Sequence, residues 1–325
     1  MKALITGAGG FMGLHLAEFL KSKNMEVLST YYNPIWDVSL LKKYGQALEL
    51  DVRDREKVRK TIADFQPDRI YHLAAQSYPT VSWEKPNETI DSNINGTVNI
   101  FEAVKELKLK SKILVAGSSA EYGFVTEDEV PINENHLLRP LHPYGVSKVA
   151  QEQLAYQYYK NFGIEGITIR IFNTTGPGKV NDVCSDFTKR AALILAGKES
   201  SFRVGNLQTK RTITDVRDGI RAFYLATENG RVGEAYNMSG NKAYKIQEIL
   251  DTILNITGIK PAIVIDKSLL RTTDEPIIYG DSSKLHNDTG WRQEITLEKT
   301  LSDMINFWKL KIQSGEHEGT HKQMY

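Results

Sequence analysis

The chain has 325 residues, with 41 Lys plus Arg against 40 Asp plus Glu, a formal charge of +1, 41% hydrophobic residues and 25% charged ones. At about 150 residues per domain this length suits two domains or one enlarged α/β unit, and the composition is that of an ordinary globular protein. The balanced charge argues against nucleic acid or an anionic membrane as a partner, and the single cysteine, Cys184, excludes an intrachain disulfide framework and a cysteine zinc cluster.

Met1-Lys2 leads straight into a strand pattern with no signal-peptide pattern before it. No apolar run approaches the roughly 18 residues of a spanning helix, so the expected location is cytoplasmic. The first half alternates short apolar runs with amphipathic stretches. Strands are expected at Ala3–Thr6, Glu26–Ser29, Ala47–Leu50, Arg69–Leu73, Lys112–Ala116 and Gly166–Arg170. Helices are expected at Leu14–Lys21, Arg55–Asp64, Asn93–Leu107 and Tyr144–Asn161. Strands separated by helices of this length imply right-handed βαβ units and a parallel sheet, so the fold class is α/β, a Rossmann-type doubly wound sheet.

After Phe172 the texture changes. Gly176-Pro177-Gly178 is a breaker cluster, and a helix near Asp186–Ala196 and an apolar segment at Phe202-Arg203-Val204 follow it. A further helix and strand are expected at Val216–Glu228 and Glu234–Met238, then Ile246–Ile256, Ala262–Ile265 and Leu297–Trp308. The expected division is a dinucleotide-binding domain of residues 1–172 plus 215–240 and a smaller mixed α/β domain of residues 173–214 plus 241–310. Residues 311–325 would form a polar tail, fraying from Gln313. There are no internal repeats.

Thr6-Gly7-Ala8-Gly9-Gly10-Phe11-Met12-Gly13 lies between the first strand and the first helix. Gly7 suits a tight turn, Gly10 would let the backbone approach a pyrophosphate, and Gly13 lets helix and strand pack closely. The amides of the helix start, at Phe11 and Met12, would then face the phosphates. Glycines at a turn are weak evidence alone; their place after the first strand points to NAD or NADP. The end of the second strand, Ser29-Thr30-Tyr31-Tyr32-Asn33, has neither the acidic residue that suits NAD nor the arginine that suits NADP, which leaves both open. Asp51 and Val52, at the end of the third strand, are expected to face the adenine.

Tyr144 and Lys148 stand four apart, on one face of a helix. Alone, that spacing also fits a solvated helix face. Gly117-Ser118-Ser119-Ala120-Glu121-Tyr122-Gly123, after the fifth strand, adds a hydroxyl at the sheet's carboxyl edge, where open α/β sheets bind ligands. Lysine would lower the tyrosine pKa and serine would hold the reacting oxygen.

With these motifs the sequence resembles the extended short-chain dehydrogenase/reductase family to about Trp308. The resemblance also rests on His72-Leu73-Ala74-Ala75-Gln76-Ser77 and Asn93-Ile94-Asn95-Gly96-Thr97. It implies an NAD(P) cofactor held also by Leu73, Ala74 and Ala75, Tyr144 as acid/base, Lys148 on the nicotinamide ribose, and a serine on the substrate oxygen. Ser119 is preferred to Ser118 for that place. A homodimer through a four-helix contact that includes the Tyr144 helix is implied too. A non-catalytic NAD(P)-binding relative is the competing class; it usually loses the tyrosine or the lysine.

Four stretches of the second half, Ile171–Gly178, Val204–Arg211, Asp215–Asp218 and Leu270–Glu275, resemble the branch acting on GDP-hexoses. GDP-6-deoxy-D-mannose reductases come first and GDP-mannose 4,6-dehydratases next. Arg211 and Arg271 suit a pyrophosphate, Asn173 its oxygens, and Glu275 a ribose hydroxyl. Asp186 lies in the segment resembling the base pocket, where a carboxylate accepts from guanine, and the resemblance adds Gln76 to the substrate residues. Two departures stand out: Thr174 where the dehydratase pattern has His, and Arg211-Thr212 where it has Arg-Asp. A dehydratase needs a base for the C5 proton, and Glu121, two residues past Ser119, is its candidate; a reductase needs none. Overall similarity favours the reductase. His72 reads as packed rather than catalytic, His15 lies on the first helix, and the other five histidines have no metal-ligand spacing.

Overall fold

The computed structural model describes residues 1–269 and 275–315. The first half runs β1 (Lys2–Thr6), α1 (Phe11–Ser22), β2 (Glu26–Tyr31), α2 (Val38–Lys42), β3 (Gln46–Glu49), α3 (Arg55–Phe65) and β4 (Arg69–His72). Then come α4 (Pro79–Glu84), α5 (Pro86–Ile90), a π-turn at Asp91–Asn95, α6 (Gly96–Glu106), β5 (Lys112–Ser118), α7 (Pro143–Phe162) and β6 (Gly166–Ile171). The second half runs β7 (Thr174–Thr175), α8 (Val183–Leu195), β8 (Ser201–Val204), β9 (Lys210–Thr212), β10 (Thr214–Asp215), α9 (Val216–Asn229) and β11 (Ala235–Met238). It ends with β12 (Ala243–Lys245), α10 (Ile246–Thr257), β13 (Ala262–Ile265), β14 (Ile277–Ile278), α11 (Ser283–Thr289) and α12 (Leu297–Gln313).

Seven strands form one parallel sheet in the order β11-β6-β5-β4-β1-β2-β3. Its inner strands are mostly apolar runs because both faces are covered, whereas the edge strand β3 is largely exposed. Ala3 and Ile5 of β1 enter the core shared with Leu16 and Leu20 of α1 and Phe223 of α9. Leu4, between them, enters the opposite core with Ile62 of α3 and Ile100, Phe101 and Val104 of α6. The strand order reverses between β1 and β4, so their carboxyl ends bound the crevice in which such sheets bind ligands.

A third apolar core gathers Cys184 and Phe187 of α8, Ile249 and Ile253 of α10, and Leu301 and Met304 of α12. The short strands pair beside it as β12-β9-β14 and β13-β8. Two sequence expectations change. The helix expected at 93–107 is regular only from Gly96, because the π-turn precedes it, and α12 runs on to Gln313, so residues 311–313 are helical rather than tail. Residues 316–325 lie outside the described residues.

Candidate active site

The crevice begins with the glycine turn. Gly7 has φ +71°, and a Cβ there would stand 2.7 Å from the Cα and N of Ala74, so only glycine lets the turn close onto the end of β4. Leu73 N–H donates to Thr6 O (3.1 Å) and Ala74 N–H to Thr6 Oγ1 (3.3 Å), which fixes the Leu73–Ala75 segment beside the turn. A Cβ on Gly13 would stand 2.5 Å from Ala8 Cα, whereas one on Gly10 would meet only Gly7 O at 3.3 Å. Gly13 thus packs helix on turn, and Gly10 leaves its outer side open. No side chain caps α1 at Gly10, so the amides of its first turn, at Phe11 and Met12, present the positive end of the helix. An open cradle with an uncapped helix end fits a dinucleotide pyrophosphate.

Asp51 and Val52 lie past the end of β3, which stops at Glu49. Arg53 holds Asp51 with both ends of its guanidinium (Nε to Oδ1 3.0 Å, Nη2 to Oδ2 2.6 Å), and this pairing lowers the Asp51 pKa. Val52 is buried against Gly96, and its carbonyl accepts from Asn99 Nδ2 (2.9 Å). The expected adenine carboxylate is therefore half of an ion pair that brings a guanidinium over the Tyr32 ring.

His142 caps α7, its Nδ1 accepting from Gly145 N–H (3.0 Å), and Pro143 opens the first turn. One turn apart, Tyr144 and Lys148 share a face, with Lys148 Nζ 5.6 Å from the Tyr144 ring centre. Lys148 is buried and donates to Ala116 O (2.8 Å). Burial pushes its pKa down to about 8, with the Glu121 carboxyl opposing. Burial pushes the Tyr144 phenol up to about 12, against the pull of the Ser118 hydroxyl.

The Ser118 hydroxyl therefore faces Tyr144. Ser118 is the last residue of β5 and caps a single 3-10 turn, Ser119–Glu121. Its hydroxyl accepts from Ala120 N–H (3.2 Å). Ser119 opens that turn and is half-buried.

Glu121 closes the same turn. It is 0% exposed, and its Oε1 accepts from Ser118 N–H at 2.7 Å. The same oxygen would lie 2.7 Å from a Cβ on Gly117, which places the carboxyl beneath β5. Its Oε2 lies 3.6 Å from Nε of Arg170, a residue that Glu152 holds at both ends. The charge of this carboxyl acts on both Tyr144 and Lys148.

Beneath the crevice His72 lies 2.7 Å from Thr6 Oγ1 and 2.9 Å from Thr97 Oγ1, which also accepts from Gln151 Nε2. Burial, aided by the charge of Lys148, drives the His72 pKa down to about 3, so it is a neutral packing hub, as its sequence context suggested. The π-turn aims Asn93 at two elements, accepting from Gln76 N–H (2.8 Å) and donating to Ser147 Oγ (2.8 Å). Gln76 bonds its side chain to Tyr78 and Thr89, which locks its own loop.

On the far side, Asn173 Nδ2 is buried without a partner among the described residues, as an amide that awaits an anionic oxygen would be. Arg211, on β9, donates to the carbonyls of Lys210 (2.8 Å) and Glu275 (2.9 Å), which steady its guanidinium and bring Glu275 beside it. Asp186, in the first turn of α8, pairs with Arg190 (3.1 Å) and is half exposed. Arg271 lies outside the described residues. Sequence reading took Gly176–Gly178 as a breaker and a substrate-side stretch but did not place it against the start of α1. Pro177 O lies 3.0 Å from His15 Nε2, Lys179 Nζ stands over the Phe11 ring at 5.1 Å, and Trp36 packs on Gly178. The lysine directly after Gly176-Pro177-Gly178 was the available signal.

A parallel sheet reversing at β1, with a glycine turn at the reversal and a Tyr-Lys helix facing the end of β5, defines an oxidoreductase of the extended short-chain dehydrogenase/reductase class. The family model described as GDP-mannose 4,6 dehydratase matches residues 4–304, and the chain belongs to that family. It is 28% identical to the GDP-6-deoxy-D-mannose reductase of Pseudomonas aeruginosa over 96% of this chain and 98% of that one. It is also 28% identical to a GDP-mannose 4,6-dehydratase of Vibrio cholerae, over 93% and 92%. The structure of RMD from Pseudomonas aeruginosa complexed with NADPH superposes with a TM-score of 0.84 at 27% identity, covering 95% of this chain and 99% of that one. No helix among the described residues is long and apolar enough to cross a membrane.

Proposed function

We propose that this chain reduces the 4-keto group of a GDP-linked 6-deoxyhexose, using NADH or NADPH. The observation that carries the reading is the β5 loop. A dehydratase sets its carboxylate two residues after the site hydroxyl. Counted from Ser119, that position is Glu121, whose carboxyl is 0% exposed. The burial of this carboxyl supports the reading in which no base for the C5 proton is needed.

The bound nicotinamide supplies hydride. The chain's own residues handle the oxygen. Ser118 Oγ orients the carbonyl, and Tyr144, with its pKa held up near 12, is protonated at neutral pH and donates to the oxygen that becomes the alcohol. Lys148, buried one turn on, carries the charge that eases this transfer and offers donors to the cofactor ribose. Asn173 Nδ2 and Arg211 would hold the diphosphate and Glu275 a ribose hydroxyl, with Asp186 on the guanine. The relative bound to NADPH supports the cofactor class. A homodimer is proposed with it, since α4, α5 and α7 pack together and leave Trp83, Ile90 and Val146 exposed; light scattering tests it.

Mass spectrometry of two reactions tests the function. GDP-4-keto-6-deoxymannose with NADPH or NADH should gain two hydrogens, and GDP-mannose with NADP+ or NAD+ should be unchanged. Loss of water from GDP-mannose would make the chain a dehydratase. Cofactor binding with neither conversion would support a binding protein.

A further inference from the structure

Glu121 sits in a buried arrangement that its loop alone does not explain. Glu152, on α7, accepts from Arg170 Nε (2.8 Å) and Nη2 (2.7 Å) with both oxygens. Arg170, on β6, also donates to Tyr122 Oη (2.6 Å) and Glu134 O (3.0 Å). Glu121 Oε1 is taken by Ser118 N–H, and Oε2 is buried with no hydrogen-bond partner among the described residues, 3.6 Å from Arg170 Nε. Two carboxylates thus share one guanidinium in a place closed to water. With Glu121 ionised, two buried negative charges would face one guanidinium, and one oxygen would lack a hydrogen bond.

We propose that Glu121 is a neutral carboxylic acid that serves as a positioning residue, accepting from Ser118 N–H at one oxygen and donating its own proton to Glu152 from the other. One proton satisfies Oε2, removes the surplus charge and leaves Arg170–Glu152 as the single ion pair. The Ser118 amide is then clamped at the strand end, and with it the hydroxyl that faces Tyr144. Burial and the Glu152 carboxylate both raise the Glu121 pKa, with Arg170 and the Ser118 N–H opposing. The other titratable groups acting on this pocket are Lys148 and Tyr144 from α7, and Tyr122 with Glu134 behind Arg170. A cavity of about 260 Å³ reaches Glu152 from the side of Thr168 and Ala235 and gives the pair a route to solvent that does not cross the active site.

Glu121→Gln is close to an isostere of the protonated acid, since its carbonyl can accept from Ser118 and its amide can donate to Glu152. The test compares wild type, Glu121→Gln and Glu121→Ala by denaturant unfolding from acid to mildly alkaline pH, by NADPH affinity and by turnover. Above the ordinary carboxylate pKa of 4.5, the wild-type fold carries one proton more than the unfolded chain. Its folding constant should therefore weaken by about tenfold per pH unit relative to Glu121→Gln, until the acid itself titrates. Glu121→Gln should keep turnover, and Glu121→Ala should lose turnover at unchanged NADPH affinity. A pH slope shared by wild type and Glu121→Gln would overturn the neutral acid, and full turnover in Glu121→Ala would overturn the positioning role. A folded Glu121→Gln without turnover would overturn both, and this variant decides if Glu121→Ala does not fold. Only the turnover readout rests on the reductase reading; the slope and the affinity stand without it.

Discussion

Replacing Ser118 with alanine removes one oxygen that has two duties. The hydroxyl faces Tyr144, where it would hold the carbonyl oxygen as charge develops, and it also caps the 3-10 turn through Ala120 N–H. Loss of a single donor at a developing oxyanion lowers turnover by about 10²–10³-fold, or about 3–4 kcal/mol in the barrier. Loss of a cap lowers stability by about 0.5–2 kcal/mol, and this is separable because it shifts the unfolding midpoint without entering kcat. Ser119→Ala, one residue on, removes a hydroxyl that opens the turn, so its kcat should stay near wild type. Steady-state oxidation of NADPH at saturating keto sugar, with NADPH affinity measured by fluorescence, gives both numbers. Equal losses in the two variants, or a larger one in Ser119→Ala, would refute the assignment of the site hydroxyl to Ser118.

Tyr144→Phe should lower kcat by about two orders of magnitude or more, since it removes the proton donor while leaving the ring packing; near-normal turnover would refute its role. Lys148 has a pKa lowered to about 8, so turnover should fall as pH rises through that value and the ammonium loses its charge; a rate flat to pH 10 would contradict this. The same shift means that the fold binds fewer protons at Lys148 than the unfolded chain does between about 8 and 10.5, so this group adds stability as pH rises across that window. Gly7→Ala combines φ +71° with a Cβ at 2.7 Å from Ala74 backbone and should destabilise by about 1–3 kcal/mol with much weaker cofactor binding. Asn173→Ala should raise KM for the sugar nucleotide and leave NADPH affinity unchanged, as titration calorimetry can check.

The cofactor half was legible because its signals are local. Apolar runs gave the strands, the 3.6-residue pattern gave α3, α6 and α7, and the turn after β1 put its glycines where backbone contacts forbid a Cβ. Ser118 and Ser119 could not be separated, because adjacent residues at a strand end differ only in the face they take, and that face depends on where β5 stops. Glu121 looked like a site acid because its partners, Glu152 and Arg170, are 31 and 49 residues away along the chain and meet it only in the fold. The segments α2, α4 and α5 escaped notice because each is five or six residues long, too short for a periodic signal, and is set by Asp37, Pro79 or Pro86 at its start. The strands β9, β12 and β14 have two or three residues each and exist only through mutual pairing. That pairing is what brings Arg211 and Glu275 together.

The most direct measurement is deuterium transfer. The full chain would be given GDP-4-keto-6-deoxymannose with NADPH deuterated at the nicotinamide C4, on the face that is transferred. The account expects a product with one carbon-bound deuterium at the sugar C4 and one mole of cofactor oxidised per mole formed. An unlabelled keto sugar, alongside dehydration of GDP-mannose with no net change in cofactor, would contradict it.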